Sequence, residues 1–231
     1  MGIADVILNY ITNDCQGKVI GYYMSDLEHE LATSKATNAY HHGDLRSALI
    51  TATREALLHR PPDAITMKFL ASQLGVSQPA PYRHFKSRDA LLSAVAADGF
   101  TRLNEALSVN REGHTSGTEN DFRTLCESYI EFAFGNLGVY RLMHSRAPMT
   151  SVELDSELAR TADASFKLLI SRLPSRETYQ QAATLAVFVW STLHGIITLQ
   201  GEGFVDGALE GSVPLPDVIL DVISKLMAVV F

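Results

Sequence analysis

The 231-residue sequence predicts an all-α fold, and three observations predict it. Apolar residues return at helical spacing in one stretch after another. Gly, Pro and small polar residues cluster where those stripes stop, which is where helices end. Around residues 66–85, two helical segments are separated by a three-residue turn containing Gly, the sequence form of a helix-turn-helix.

Residues 1–40 stand apart. Ile3, Val6, Ile7 and Tyr10 suit a weak helix, and Val19, Ile20, Tyr22 and Tyr23 suit a strand. From Met24 to Asn38 the chain is polar and rich in Ser, Thr and charge, the composition of a flexible arm. These residues are expected to form a flexible extension, and Met24 is an alternative start.

Leu45, Leu49, Ala52 and Ala56 stripe the next helix, with Ala48 and Leu57 beside them, and Pro61-Pro62 ends it. Met67, Leu70, Ala71 and Leu74 then fall at i, i+3, i+4 and i+7. Thr66 is the natural N-cap, and Gly75 supplies the left-handed residue that stops the helix. Ser77 is placed to cap a second helix carrying Gln78, Tyr82, Arg83, His84 and Lys86, with Val76 and Phe85 as core. Pro79 and Pro81 crowd its start. One proline at the first helical position costs little, but a second removes an early hydrogen bond and disfavours helix for Ala80. This helix is therefore expected to be short or tightly wound at its N-terminus.

The rest also reads as helix. Leu92, Ala96, Phe100, Leu103 and Leu107 stripe a long helix from about Ser87, and Glu112 to Asn120 is a Gly, Ser and Thr loop. Phe122, Leu125, Tyr129, Phe132 and Ala133 mark the next helix, which Gly135 and Gly138 are expected to end. A short helix from Val139 to Ser145 precedes Pro148, and Leu154, Leu158, Ala162, Phe166, Leu169 and Leu173 stripe a helix stopped at Pro174. Residues 176–200 form a helix apolar on almost every side between Ala182 and Leu199, hence expected to be buried all round. The loop Gly201 to Pro216 leads to a last helix from about Asp217, with Ile219, Ile223, Leu226 and Val230 on one face.

Charge is segregated along the chain. Residues 41–88 hold seven Lys or Arg against three acids, a net of +4, so the remainder carries −11 of the total −7. A basic head on an acidic body fits a modular nucleic-acid binder. The donors of the second helix suit base edges and phosphates. An arm ahead of such a head can also reach a minor groove, for which only Lys35, His41 and His42 are suited. Enzyme signatures are absent: no G-x-S-x-G, H-E-x-x-H, G-x-G-x-x-G or P-loop occurs. Glu153, Asp155 and Glu157 lie near a helix start, where acids are favourable anyway, and read as solvated surface. Cys15 and Cys126 lack metal spacing and suit a reduced cytosol. No signal peptide is evident. The stretch Ala182 to Leu199 is interrupted by Thr184, Ser191, Thr192, His194 and Thr198, so a buried helix is a better reading than a membrane span.

With its flanks, the helix-turn-helix resembles the DNA-binding domain of TetR/AcrR-family transcriptional regulators. The resemblance rests on Thr66, Leu70, Ala71, Gly75, Val76, Ser77, Tyr82, His84, Phe85, Ser87, Arg88, Asp89 and Leu91, and on the upstream run His42-Gly43-Asp44-Leu45-Arg46. It covers residues 41–107. It implies that Tyr82 and His84 meet phosphate, that Lys86 and the backbone N–H of Arg88 join them, and that Gln78, Ala80 and Arg83 lie nearest base edges; the caps Thr66 and Ser77 are counted with this surface. Pro81 departs from the family's usual apolar residue. Trp190, His194 and Gly195, with Tyr140-Arg141-Leu142-Met143, resemble the C-terminal domain of one subgroup, often called the WHG domain.

The resemblance implies residues 41–88 as the DNA-binding domain and 89–231 as a ligand-binding and dimerisation domain. Double-stranded operator DNA, a small-molecule effector and a second copy of the chain are the expected partners, with no membrane, metal or cofactor, in the cytoplasm. The expected function is a dimeric, ligand-released repressor on a pseudo-palindromic site, with the Ser87–Leu107 helix transmitting motion. The alternatives are a constitutive or architectural DNA binder, and a helical enzyme or lipid-binding body fused to the head. Tyr129, Phe132, Ala133, Arg141, Met143, His144, Phe166, Phe188, Trp190 and His194 are the candidate ligand residues, although aromatics and a His at helical spacing also suit plain core. Few charges lie on their stripes, so an uncharged or weakly acidic, largely apolar ligand is expected. Ile219, Ile223, Leu226 and Val230 are the candidate dimer contacts.

Overall fold

The structure is a computed structural model describing residues 44–108, 117–145, 156–205 and 214–231. The expectations for residues 1–40, His41, His42, Pro148, Glu153 and Asp155, and for most of the two long loops, lie outside the described residues. Within them the chain forms eight α-helices and two short 3-10 turns, and no strand.

Local chemistry explains the head. Helix α1 (Leu45–Ala56) starts where the Asp44 carboxylate accepts from the Ser47 N–H at 3.0 Å. Thr53 is buried on it, and its hydroxyl donates to the Leu49 carbonyl at 2.7 Å, so no polar atom is stranded. A 3-10 turn at Pro62–Ala64 leads to α2 (Met67–Gln73). Thr66 caps α2 by accepting from the Phe69 N–H, and Gly75 follows it with φ 64°. Met67, Leu70 and Ala71 are buried beneath it.

The second helix of the motif is not an α-helix, nor does the Ser77 hydroxyl cap it. The chain turns at Ser77, whose backbone carbonyl accepts from the Ala80 N–H at 2.9 Å, and winds into a 3-10 turn at Pro81–Arg83. Pro79 and Pro81 have no N–H to give to a carbonyl one turn earlier, so the backbone closes three-residue steps instead. Pro81 is buried and does the packing of the apolar residue it replaces; Phe85 is buried beside it.

The body holds six helices: α3 (Arg88–Ser108), α4 (Glu119–Gly135), α5 (Leu137–Met143), α6 (Glu157–Arg172), α7 (Tyr179–Gly201) and α8 (Leu215–Val230). Ser87, Thr118, Ser156 and Thr178 cap α3, α4, α6 and α7 with their hydroxyls, and Thr178 with Gln181 completes a capping box. Helix α3 packs against α1 of the head and against α4, α5 and α6 of the body, so one buried cluster runs through both. Arg54 of α1 meets Asp98 of α3 at 3.0 Å. A buried Arg172–Asp121 ion pair ties α6 to α4, and the same guanidinium reaches the Leu107 carbonyl at the end of α3.

Three expectations about the body change. Gly135 ends α4 as expected, but Gly138 lies inside α5, because α5 begins at Leu137. A Cβ there would sit 2.0 Å from the Leu57 carbonyl oxygen, so glycine is what lets α5 abut the end of α1. Helix α7 is not buried all round: Ala186, Val189, Leu193 and Ile197 face inward, while Val187, Phe188 and Leu199 are 47%, 45% and 50% exposed. It is long and apolar enough to cross a membrane, with mean hydropathy 1.6, yet its inner face packs on α4, α6 and α8. Finally, Ile219, Ile223, Leu226 and Val230 are at most 2% exposed within the single chain. The stripe assigned to a partner is needed by the chain's own core, and the outer face of α8 presents Leu220 and Val229 instead.

Gly138→Ala should cost about 1–3 kcal/mol in chemical unfolding, because backbone must yield to the new methyl. Gly135→Ala, where a Cβ meets open space, should leave the midpoint nearly unmoved.

Candidate functional site

Two places gather the functional side chains. The first is the head's surface around the 3-10 turn. Thr66, Ser77, Gln78, Tyr82, Arg83, His84 and Lys86 are all exposed and Ala80 half-buried, while Pro81 and Phe85 anchor the turn from below. Tyr82 is 57% exposed, far more than a core aromatic. The Thr66 hydroxyl accepts from the helix and keeps its own proton for an outside acceptor. Arg88 is different. Its guanidinium turns inward, donating to the carbonyls of Ile65 (2.8 Å) and Pro62 (2.5 Å) and approaching Asp63 and Asp89. The side chain staples the head together, and only its backbone N–H, an orphan donor of the first turn of α3, is in keeping with a phosphate contact. Arg46 stacks over Phe85 and Arg60 over Phe69, and Arg54 pairs with Asp98. Lys68, Arg83 and Lys86 have no carboxylate partner among the described residues. Lys68, on the exposed side of α2, is a cation the motif reading left unassigned.

The second place is a cavity of about 260 Å³ enclosed by α3, α4, α6, α7 and the end of α5. Its walls are Phe100, Leu103 and Leu107 of α3, Leu125 and Tyr129 of α4, Met143 and His144, Ala162, Ser165, Phe166 and Leu169 of α6, and Trp190 and Leu193 of α7. Among the described residues no Lys, Arg, Asp or Glu lines it. Gly99 lets α3 approach this wall: a Cβ there would meet the Met143 sulfur at 2.7 Å.

Behind one wall runs a hydrogen-bonded chain of rings. The Trp190 indole N–H, a donor only, faces the Tyr129 hydroxyl; Tyr129 meets the Tyr140 hydroxyl at 2.9 Å; Tyr140 meets His194 Nδ1 at 2.7 Å. The donor order that satisfies every group runs from Trp190 through Tyr129 and Tyr140 to His194, whose Nε2–H then points to Thr198 at 3.4 Å. Burial pushes Tyr129 up to about 12 and also raises Tyr140, so both remain phenols at neutral pH. Burial lowers His194 as well. His144 stacks 4.5 Å from the Tyr140 ring and 4.7 Å from that of His194. Burial lowers it to about 4, opposed by its bond to the Tyr140 carbonyl and assisted by the nearby His194.

The structure brings Tyr129, Met143, His144, Phe166 and Trp190 to the cavity, and leaves the other five candidates off its wall. Phe132 and Ala133 lie one turn further along the face of α4 that carries Tyr129, buried beyond the cavity wall. Arg141 points outward, donating to the Gly201 carbonyl and pairing with Glu202 at 3.6 Å, where it closes the C-terminus of α7. Phe188 lies on the outer face of α7, and His194 stands behind the wall, stacked on His144 and bonded to Tyr140. The wall given by α3 was legible as an apolar stripe but not as a cavity wall, because only the packing of α6 across it creates the space.

Comparison with known proteins gives a consistent picture. A family model described as bacterial regulatory proteins of the tetR family matches residues 49–95. A second, described as the tetracyclin repressor-like C-terminal domain, matches residues 122–219. Together they span more than half of the chain. The tetracycline repressor protein class C of Escherichia coli is 35% identical over 79 residues, 34% of this chain and 33% of that protein. The chain thus matches about a third of the length of that curated relative. A protein of unknown function from Rhodococcus sp. RHA1 has a similar structure, with TM-score 0.68 and 28% identity over 84% of this chain and 99% of that one. A TetR variant from Acinetobacter baumannii AYE, in complex with minocycline, has TM-score 0.55 and 20% identity over 79% and 93% of the two chains.

The buried imidazole of His144 makes stability depend on pH. The unfolded imidazole takes up its proton near pH 6.5 and the folded one only at about 4, so the unfolded chain binds more protons between these values. Stability is complete above pH 7 and falls as pH drops through 6.5 towards 4. Between pH 7 and 5 the wild type should lose about 2 kcal/mol more than His144→Phe, measured by unfolding at each pH.

Proposed function

The chain belongs to the TetR family of bacterial transcription regulators, and from that premise we propose that it is a ligand-released repressor that binds a pseudo-palindromic operator as a homodimer. The observation that carries the DNA reading is the turn from Ser77 to Lys86, where the side-chain donors are exposed while Pro81 and Phe85 are anchored below. In this reading residues 41–88 bind DNA, and residues 89–231 bind the effector and the second subunit. Two copies of the turn enter successive major grooves, with Gln78, Ala80 and Arg83 nearest the bases and Tyr82, His84, Lys86, Thr66 and Lys68 towards phosphates. Such a regulator works in the cytoplasm.

The outer faces of α7 and α8 support dimerisation. Phe188 and Val229 border one shallow surface depression together with Thr184 and Gln181, and Val187, Leu199 and Leu220 extend the apolar area. An exposed apolar area of this kind on two adjacent helices is the usual mark of a protein interface. A four-helix bundle built from two such pairs would cover it. The effector reading is supported by the apolar cavity, whose described lining is uncharged, and by the minocycline bound to the related fold. At about 260 Å³ the cavity lies below the range of roughly 300–1,000 Å³ typical of drug-sized ligands, so the effector is small. Ligand binding shifts the dimer between head spacings only by the difference in its affinity for the two.

Operator binding measured against salt tests the DNA surface. Lys86→Ala should reduce the slope of log K against log[salt] by about 0.9 per subunit, whereas Arg83→Ala should chiefly relax base preference. Arg88→Ala should instead lower the unfolding midpoint, since its side chain serves the head's own carbonyls. An unchanged isotherm for both Lys86→Ala and Tyr82→Ala removes this turn from the interface.

Sedimentation tests the assembly. Phe188→Glu should give a folded monomer with operator affinity largely lost, while Ile223→Asp should unfold the chain because its side chain is in the core. A Phe188→Glu dimer would move the interface elsewhere.

A further inference from the structure

We infer that the cavity selects an uncharged ligand that donates one hydrogen bond to His144 Nε2, a phenol or small alcohol rather than a carboxylic acid. This rests on reading the cavity as the effector site and narrows the ligand to a chemical class.

The argument is an account of protons. A backbone carbonyl can only accept, so the 2.9 Å contact between His144 Nδ1 and the Tyr140 carbonyl requires the proton on Nδ1. The neutral ring then carries its lone pair on Nε2. That atom meets no hydrogen-bond partner among the described residues, yet it is not sealed within packed atoms. His144 lines the cavity, and we assign its accessible, unbonded nitrogen to that space. The lowered pKa of the ring keeps it an acceptor across the neutral range.

The other polar groups on the wall are donors already engaged inside the protein. The Trp190 indole N–H is directed at Tyr129, and the Tyr129 and Tyr140 hydroxyls meet at 2.9 Å. The Ser165 hydroxyl donates to Asn104 Oδ1 at 2.6 Å, with the Thr161 carbonyl at 3.2 Å. Among the described lining residues a carboxylate in the cavity would find no cation, and its desolvation would go uncompensated. A ligand hydroxyl supplies what the wall lacks, while its hydrocarbon part meets Phe100, Phe166 and the leucines.

The chain has one tryptophan, and Trp190 lies on the cavity wall, so its fluorescence reports binding directly. The full-length protein would be titrated with thymol, with thymol methyl ether and with para-isopropylbenzoate. Thymol should bind about tenfold or more tightly than its ether, and the benzoate more weakly still. His144→Phe should abolish the preference for thymol over the ether. Should His144→Phe fail to fold, nitrogen NMR of the histidine side chains in the wild type replaces it: the His144 Nε2 signal should move with thymol and not with the ether. Equal affinity for thymol and its ether, tightest binding by the benzoate, or no response to any of the three would overturn the inference. Operator release measured in parallel separates the two readings. Thymol preference without release supports the hydrogen-bond rule and sinks the effector reading. Release by the benzoate but not by thymol keeps the effector reading and sinks the rule.

Discussion

The burial of α3 is the constraint on which the rest of the structure depends. Seven of the ten residues from Leu91 to Phe100 are buried, more than a single amphipathic stripe would hide. A helix covered on so many sides must be met from more than one direction. Helix α1 covers it from the head, and α4, α5 and α6 cover it from the body. Each must come close enough to exclude water, which is why Gly99 stands opposite Met143 and Val139. The half-buried Arg54–Asp98 contact then fixes the rotation of α1 against α3. Neither the head nor the cavity has a wall of its own that is independent of this helix.

The same packing gives the cavity a second, shorter connection to the head. Helix α5 has seven residues, a length of about 10 Å. Met143, its last residue, and His144, which follows, belong to the cavity, and Gly138 near its start bears on the Leu57 carbonyl at the end of α1. Interiors packed to this density pass displacement on rather than absorbing it. The resemblance pointed to the long helix alone as the transmitter; the contacts add α5 beside it.

Much of the fold was legible because it is written in local terms. The Thr66 cap, the Gly75 stop and the stripes of α1, α2 and α3 follow from side chains a few residues apart. The two-proline segment was legible as a disturbance, though its outcome as a 3-10 turn needed Pro81 to be held in the core. What the sequence could not resolve was which of two apolar faces a helix turns inward. Ile223 and Leu220 both read as apolar on α8, and only the position of α4 and α7 decides that Ile223 is interior. The same ambiguity hid the outer face of α7. The candidate ligand residues divide along this line. His144 and Trp190 were recognisable as polar-tipped groups on apolar stretches, but Arg141 is drawn away to the Gly201 carbonyl and Glu202 at the end of α7, a contact that only the fold creates.

The 3-10 turn has a consequence for the thermodynamics of recognition. Pro79 and Pro81 restrict the backbone before any partner arrives, and the buried Pro81 and Phe85 hold both ends of the turn to the core. Ordering entropy that a looser reading segment would lose on contact has already been lost in folding. Such a surface cannot remould itself to a poorly matched sequence. On the proposed reading it discriminates by misfit, and a wrong site is refused through strain and unmet hydrogen bonds rather than accommodated with a weaker grip.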